Sequence, residues 1–141
     1  MKSSVKDAVA ICVNGISKAP FEAEHAALTG VSTNTNHTGY YGEGFVEQFA
    51  ENGDAVAFTV YEDAEAEKNV VIRYSAGTED AQRSISVNGE TVRISLPKTQ
   101  DWDTWSEISV PIHVVAGRNT INVCYNEGDF SGINLDCIRI E

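Results

Sequence analysis

Two short acidic segments, far apart in the chain, carry the residues that could bind a metal ion. Phe21–Glu24 contains Glu22 and Glu24, and Asn134–Ile140 contains Asp136. Residues two apart in a β-strand share a face, so alternation places each carboxylate on the side of its strand that turns apolar. A partly buried carboxylate needs a partner, and the chain has only 10 Lys and Arg against 21 Asp and Glu. A hard cation ligated by oxygens meets that need, so Glu22, Glu24 and Asp136 predict a structural calcium joining the first strand to the last.

Composition narrows the class of protein. A chain of 141 residues suits one domain, and its 42% hydrophobic content is too high for a disordered chain. The net charge of -11, with no basic patch, argues against nucleic acid and against an anionic membrane. The chain has an odd number of cysteines, Cys12, Cys124 and Cys137, which excludes a complete disulfide framework. It contains no Cys-x-x-Cys motif, so a zinc site is not expected. Cys124 and Cys137 could pair or remain buried free thiols.

The elements that must position these residues are short strands. Apolar residues recur with period two, and the alternating runs are bounded by Gly, Asn and Asp. Asn88-Gly89 between two such runs predicts a tight hairpin, and Pro111 inside another predicts an edge strand or a bulge. About eight or nine strands result, over 21–28, 56–60, 70–74, 85–87, 92–96, 108–114, 121–125 and 135–140. This pattern predicts an all-β fold, a β-sandwich of two antiparallel sheets whose first and last strands meet.

Two segments fit the strand pattern less directly. Residues 1–19 are predicted to be an N-terminal extension or linker, with 9–13 as an optional extra edge strand, so that the domain proper is 20–141. The acidic run 62–67 is predicted to be a solvated hairpin loop.

An ordered series of motifs resembles a known family. The early Glu-Ala-Glu is followed by 36–40, 42–46, 53–58, 86–89, 102–105 and 116–121, and Asn134-Leu135-Asp136 closes the series. This order, over residues 21–141, resembles the non-catalytic carbohydrate-binding modules of family 35, with the closely similar family 6 as runner-up.

The resemblance implies a jelly-roll sandwich attached to a secreted bacterial plant-cell-wall-degrading enzyme. It implies that Glu22, Glu24 and Asp136 hold a structural calcium together with backbone carbonyls, and that loops at one end of the sandwich bind the sugar. Several such modules are similar in binding uronic acids through a second calcium, and others bind mannan, xylan or galactose-containing glycans. We therefore expect a monomeric, calcium-dependent module for polysaccharide that carries glucuronic acid or unsaturated galacturonic acid, with neutral glycans as the alternative.

Aromatic and polar loop residues are the candidates for sugar contact, because sugars pair a flat C–H face with a ring of hydroxyls. Trp102 stands in a polar loop and is either a lid on the core or a platform for sugar. Trp105 and the adjacent Tyr40 and Tyr41 could likewise belong to the core or contact sugar. Asn36 and Asn134 are either turn-formers or hydroxyl partners. Arg83 and Glu79 complete the predicted set; Arg83 could meet a sugar carboxylate or be a solvated residue at the flank of a strand.

Two other classes of function remain open from sequence. A glycosidase would need two opposed carboxylates, which an acidic chain could supply, but no nucleophile motif is present. A protein-interaction sandwich could use the two tryptophans as hot spots. Turnover of oligosaccharides would identify the first class, and indifference to free sugar would identify the second.

Overall fold

The computed structural model describes residues 19–141. In chain order the elements are β1 (Phe21–Glu22), a 3₁₀ turn (Ala23–His25), β2 (Ala27–Thr29), β3 (Ser32–Asn34), β4 (Phe45–Phe49), β5 (Ala55–Glu62), β6 (Ala66–Ser75), β7 (Ala81–Val87), β8 (Glu90–Leu96), β9 (Ser106–Val114), β10 (Gly117–Cys124) and β11 (Ile133–Ile140). Sheet A has the order β3-β4-β11-β6-β9, with β1 also paired to β11, and sheet B has the order β2-β5-β10-β7-β8. The predicted β-sandwich of two antiparallel sheets is confirmed.

The core lies between the two sheets and follows from the alternation of side chains. In β5, Val56, Phe58 and Val60 are buried, while Thr59 and Tyr61 face outward. Apolar residues of both sheets join in one buried cluster. Burial of these faces is the main stabilising term, because the strands themselves form few local contacts.

Local turn and edge predictions are also confirmed. Asn88 and Gly89 connect β7 to β8 with φ of 52° and 93°, the left-handed pair that a two-residue hairpin requires. Pro111 lies in β9, the edge strand of sheet A, where its missing N–H removes no bond from the interior of the sheet.

The first and last strands pair as predicted, but two details of the alternation were wrong. Phe21 pairs with Ile138, and the chain turns into the 3₁₀ helix directly after Glu22, so Glu24 is not on a strand. In β11 the register shifts between Leu135 and Cys137, so Asp136 does not follow the alternation that would align it with Ile138.

The described cysteines, Cys124 and Cys137, are buried free thiols. Cys12 and the optional strand at 9–13 lie outside the described residues. Within 19–141 no helix is long and apolar enough to cross a membrane.

Candidate functional site

The fold brings three carboxylates together at the side of sheet A, and we call Glu22, Glu24 and Asp136 the carboxylate cluster. They come from β1, from the 3₁₀ turn and from the register shift of β11. Gly42 lies against two of them: a Cβ there would stand 2.9 Å from Glu22 Cδ and 2.9 Å from Glu24 Oε2. Because glycine has no Cβ, the 39–44 loop can pass this close to the cluster, and the φ of 61° at Gly42 also favours glycine.

Backbone amides tie that loop to the cluster. The Tyr41 N–H donates to Asp136 Oδ2 at 3.0 Å, and the Glu43 N–H donates to Glu24 Oε2 at 3.1 Å. The carboxylates therefore hold the loop in place as well as each other.

The electrostatics of the cluster are unfavourable in the isolated protein. Burial, together with the charges of Glu24 and Asp136, raises the pKa of Glu22 to about 7. Burial also raises the pKa of Asp136, although the Tyr41 N–H and Arg73 oppose the shift. Glu22 Oε1 and Glu24 Oε1 are buried without a hydrogen-bond partner. Such orphaned oxygens are the groups that a bound cation would satisfy.

The neighbours of the cluster favour a hard cation over a soft one. Ligand atoms of Glu22, Asp136 and Cys137 lie within 4.8 Å of one another. Burial raises the pKa of the Cys137 thiol to about 12, so it remains protonated and is a poor ligand. Arg73 Nη1 lies 2.6 Å from Asp136 Oδ2 and offsets one of the three negative charges. The donor set fits an oxygen-liganded ion such as calcium.

Next to this cluster, loops 36–44 and 97–105 carry a set of rings around the buried Phe45. We call His37, Tyr40, Trp102 and Trp105 the aromatic loop cluster. The ring centroids of Tyr40 and Trp105 lie 5.5 Å from that of Phe45. Trp105 Nε1 donates to the Thr38 carbonyl at 2.8 Å, and this hydrogen bond connects the two loops.

Trp102 has the position of a platform. Its ring rests on Gly77, where an added Cβ would lie 2.6 Å from ring carbons, and Nε1 donates to Thr78 Oγ1 at 3.2 Å. It remains partly exposed, and its ring centroid is 6.4 Å from that of His37. The indole is thus held rigidly with part of its surface in solvent.

Tyr41 and Arg73 connect the two clusters. The Arg73 guanidinium carbon lies 3.9 Å from the centre of the Tyr41 ring, and Tyr41 is 47% exposed. Arg73 also donates to the Gly39 carbonyl at 3.0 Å while it contacts Asp136. The loop that carries Tyr40 and Tyr41 is therefore anchored to the carboxylate cluster by both backbone and side chain.

The three polar residues predicted to contact sugar, Asn36, Asn134 and Glu79, differ in exposure. Asn36 is exposed on the 36–44 loop, and Asn134 is only 7% exposed at the start of β11. Glu79 is exposed, and its Oε2 accepts a bond from Ser131 Oγ at 2.8 Å.

The prediction of Arg83 as a sugar contact is wrong. Its side chain is fully buried between Phe49 and Tyr125, with its guanidinium carbon 4.7 Å from each ring. It donates to the carbonyls of Gln82 and Phe130 and also to that of Phe49. Burial lowers the pKa of Arg83 to about 10, so it stays charged at neutral pH and acts as an internal clamp.

Sequence reasoning missed two residues of the site, His37 and Arg73. His37 stacks near Trp102 and lies 3.2 Å from Asp103 Oδ1 through Nδ1, but a histidine in turn-forming sequence gives no sign of that contact. Arg73 could have been suspected, because a charged residue inside the apolar run 70–74 needs a partner.

Comparison with known proteins identifies this arrangement. The profile of carbohydrate binding module (family 35) matches residues 19–141. This chain belongs to that family. The module is similar, at 27% identity and a TM-score of 0.81, to the solved family 35 module from Paenibacillus barcinonensis, covering 88% of this chain and 98% of that one.

The module also resembles parts of larger enzymes. It is 41% identical over 138 residues to an isomaltosyltransferase from Sporosarcina globispora, covering 97% of this chain but 13% of the relative. It matches the cycloalternan-forming enzyme from Listeria monocytogenes, solved with a pentasaccharide substrate, at 42% identity and a TM-score of 0.88, covering 92% of this chain and 12% of that one. The chain thus spans about one eighth of the length of these proteins, and it corresponds to a carbohydrate-binding module attached to enzymes that act on glycosides.

Proposed function

We propose that this module binds glucosyl units of an α-glucan at the aromatic loop cluster and keeps a linked enzyme on that polymer. The observation that carries the proposal is Trp102, a partly exposed indole that packs on Gly77 and lies beside His37. Such a ring offers the flat apolar surface on which a pyranose stacks. Retention on a polymer raises the local concentration of an attached catalytic domain.

The choice of α-glucan is supported by the relatives. Their names refer to isomaltose and to cycloalternan, which are both built from α-linked glucose. The polar atoms of the loops suit hydroxyls, since Asn36 is exposed and can both donate and accept.

We also propose that one calcium ion occupies the carboxylate cluster. Two observations support a bound cation there: Glu22 and Glu24 each have a buried oxygen without a hydrogen-bond partner, and the pKa of Glu22 is raised. Through the Tyr41 and Glu43 amides, this ion would stabilise the loop on which the sugar contacts lie. Calcium would then affect sugar binding through loop order.

Uronic acid, the ligand predicted from sequence, remains the second candidate. A sugar carboxylate would need a cation, but Arg83 is buried and Arg73 is bonded to Asp136. A second calcium shared with the sugar would be required, in an environment that is already strongly acidic. A neutral glucosyl ligand needs no such ion, and we therefore place it first.

Calorimetric titration tests the proposal directly. Isomaltotriose, glucuronic acid and galacturonic acid would be titrated in calcium and again in excess chelator, with thermal melting to confirm folding. We expect binding of isomaltotriose and its loss in Trp102→Ala, with little change in melting temperature. Binding of the uronic acids alone, and only in calcium, would instead support the second candidate.

A matched variant changes Gly77, the residue on which the Trp102 ring packs. Gly77→Ala places a methyl group against the Trp102 ring and should weaken binding without removing an aromatic group. Unchanged affinity in both variants of a folded module would place the sugar elsewhere.

A further inference from the structure

His37 and Asp103 form a hydrogen-bonded pair between the two loops of the aromatic loop cluster. His37 Nδ1 lies 3.2 Å from Asp103 Oδ1, and the Thr38 N–H donates to the same oxygen at 2.8 Å. The bond from the Thr38 N–H, assisted by the bond from His37, lowers the pKa of Asp103, so this carboxyl group is ionised at neutral pH. An ionised carboxylate can only accept, and the imidazole nitrogen that faces it must therefore carry a hydrogen.

This pairing determines the tautomer of the neutral His37 side chain. With the hydrogen on Nδ1, Nε2 carries a lone pair and can only accept a hydrogen bond. Among residues 19–141 Nε2 has no hydrogen-bond partner, and it is not a buried atom. The two nitrogens point to opposite sides of the ring, so Nε2 is directed away from Asp103. His37 therefore presents an unused acceptor to solvent, in a side chain that is 28% exposed.

Packing restricts how the imidazole can turn. Its centroid lies 5.8 Å from that of Phe45 and 6.4 Å from that of Trp102, with the ring planes tilted by 44° and 34°. A half-turn of the imidazole would replace Nδ1 by a carbon and break the bond to Asp103. The Asp103 backbone is held in turn, because its N–H donates to Asp101 Oδ1 at 2.9 Å. The direction of Nε2 is therefore set by the two loops together.

A purely structural histidine pair looks different in this protein. His113 uses both of its ring nitrogens, one with Glu65 and the other with Glu67. His37 uses one nitrogen and leaves the other free beside the partly exposed indole of Trp102. An exposed ion pair contributes little to stability, so the fixed orientation of the ring is the main consequence of this contact.

We propose that His37 Nε2 accepts a hydrogen bond from a hydroxyl of the glucosyl unit that stacks on Trp102, and that Asp103 is the positioning residue that sets the tautomer. The inference rests on the proposed function, which it deepens by naming a polar contact and its chemistry. A lone pair next to an ionised carboxylate disfavours the carboxylate of a uronic acid, whereas a hydroxyl can donate to it. The pair would therefore select a neutral sugar.

NMR spectroscopy of the histidine ring nitrogens tests the positioning in the whole module. At about pH 9, where imidazole side chains are neutral, the nitrogen chemical shifts distinguish the two tautomers. We expect Nδ1 of His37 to be protonated and Nε2 to be unprotonated, and we expect the Nε2 signal to shift when isomaltotriose is added. Asp103→Ala should increase the form protonated on Nε2, whereas Asp101→Ala, which also removes loop hydrogen bonds, should not. A parent spectrum with Nε2 protonated would overturn the inference.

Two amide variants of His37 test the acceptor. Asparagine reaches only as far as Nδ1 and can keep a bond to Asp103, whereas the longer glutamine can place an oxygen near the position of Nε2. In calorimetric titration with isomaltotriose, His37→Asn should bind about tenfold more weakly, the loss of one hydrogen bond, and His37→Gln should remain within about threefold of the parent. Melting temperatures of the two variants should agree.

The outcomes separate this inference from the proposed function. If Trp102→Ala loses binding while both His37 variants bind as the parent does, the loop site stands and the role of His37 is refuted. Equal losses in His37→Asn and His37→Gln would show that packing of the ring matters rather than its acceptor, which also refutes the inference. If the folded parent binds no isomaltotriose, both proposals are refuted, whichever tautomer the spectrum shows.

Discussion

Replacing Glu22 by glutamine should have opposite effects on stability with and without calcium. Without the ion, the folded protein carries Glu22 with a pKa of about 7, against an ordinary value of 4.5. A raised pKa means that the folded state binds more protons than the unfolded state between these two values. Stability of the calcium-free protein therefore falls as pH rises through this window, and the full penalty is present at about pH 8.

The size of the effect follows from the shift. Raising the pKa from 4.5 to about 7 corresponds to at most about 3 kcal/mol. Because part of the side chain remains in water, we expect Glu22→Gln to stabilise the chelated protein by roughly 1–2 kcal/mol. With calcium at about 100 times its dissociation constant, the proposed binding would stabilise the parent by about 2.7 kcal/mol, and loss of a ligand would remove most of that.

Thermal unfolding at about pH 8, in chelator and in calcium, measures both terms. Glu22→Gln should raise the melting temperature in chelator and lower it in calcium, by a few degrees in each case. Glu90→Gln, a change at an exposed carboxylate on β8, should leave both values nearly unchanged. A shift of the same sign in both solutions would refute the assignment of Glu22 as a ligand.

Three further predictions concern other parts of the molecule. Gly42→Ala should weaken calcium binding in a calorimetric titration, because its Cβ would press on two carboxylates, whereas Gly53→Ala, with φ of 97° and nothing within 4 Å, tests backbone strain alone. Arg83→Met should lower the free energy of unfolding, measured in denaturant, by about 2–4 kcal/mol, because buried carbonyls lose their hydrogen-bond donor. The sugar affinity of the folded protein should stay the same. A loss of affinity without a loss of stability would show that Arg83 is not buried. Bonds to two glutamates raise the pKa of His113, so its ion pairs stabilise the fold below pH 6.5 and lose that effect as pH rises through the folded-state pKa. An NMR titration should find this pKa raised in the parent and lower in Glu67→Gln, and equal values in the two proteins would contradict the pairing.

The architecture could be predicted from sequence because it depends on local, repeating signals. Alternation of apolar residues sets which face of each strand is buried, and it holds in β5 without exception from Val56 to Val60. Asn88-Gly89 is recognisable because few residues adopt two successive left-handed conformations. Pro111 identifies an edge because it cannot donate a ladder bond.

The site required tertiary structure because its members meet across long separations and through irregular backbone. Glu24 reaches the carboxylate cluster from a 3₁₀ turn and Asp136 from a register shift, and period-two reasoning describes neither. The same reasoning gives no measure of how deeply a side chain is buried: it predicts Arg83 as a sugar contact, but three backbone carbonyls from separate segments surround its guanidinium. Residue types therefore determined that this is an acidic sandwich rich in carboxylate and aromatic groups. Packing alone decided which of those groups converge, because burial and hydrogen-bond partners are properties of the assembled sheets.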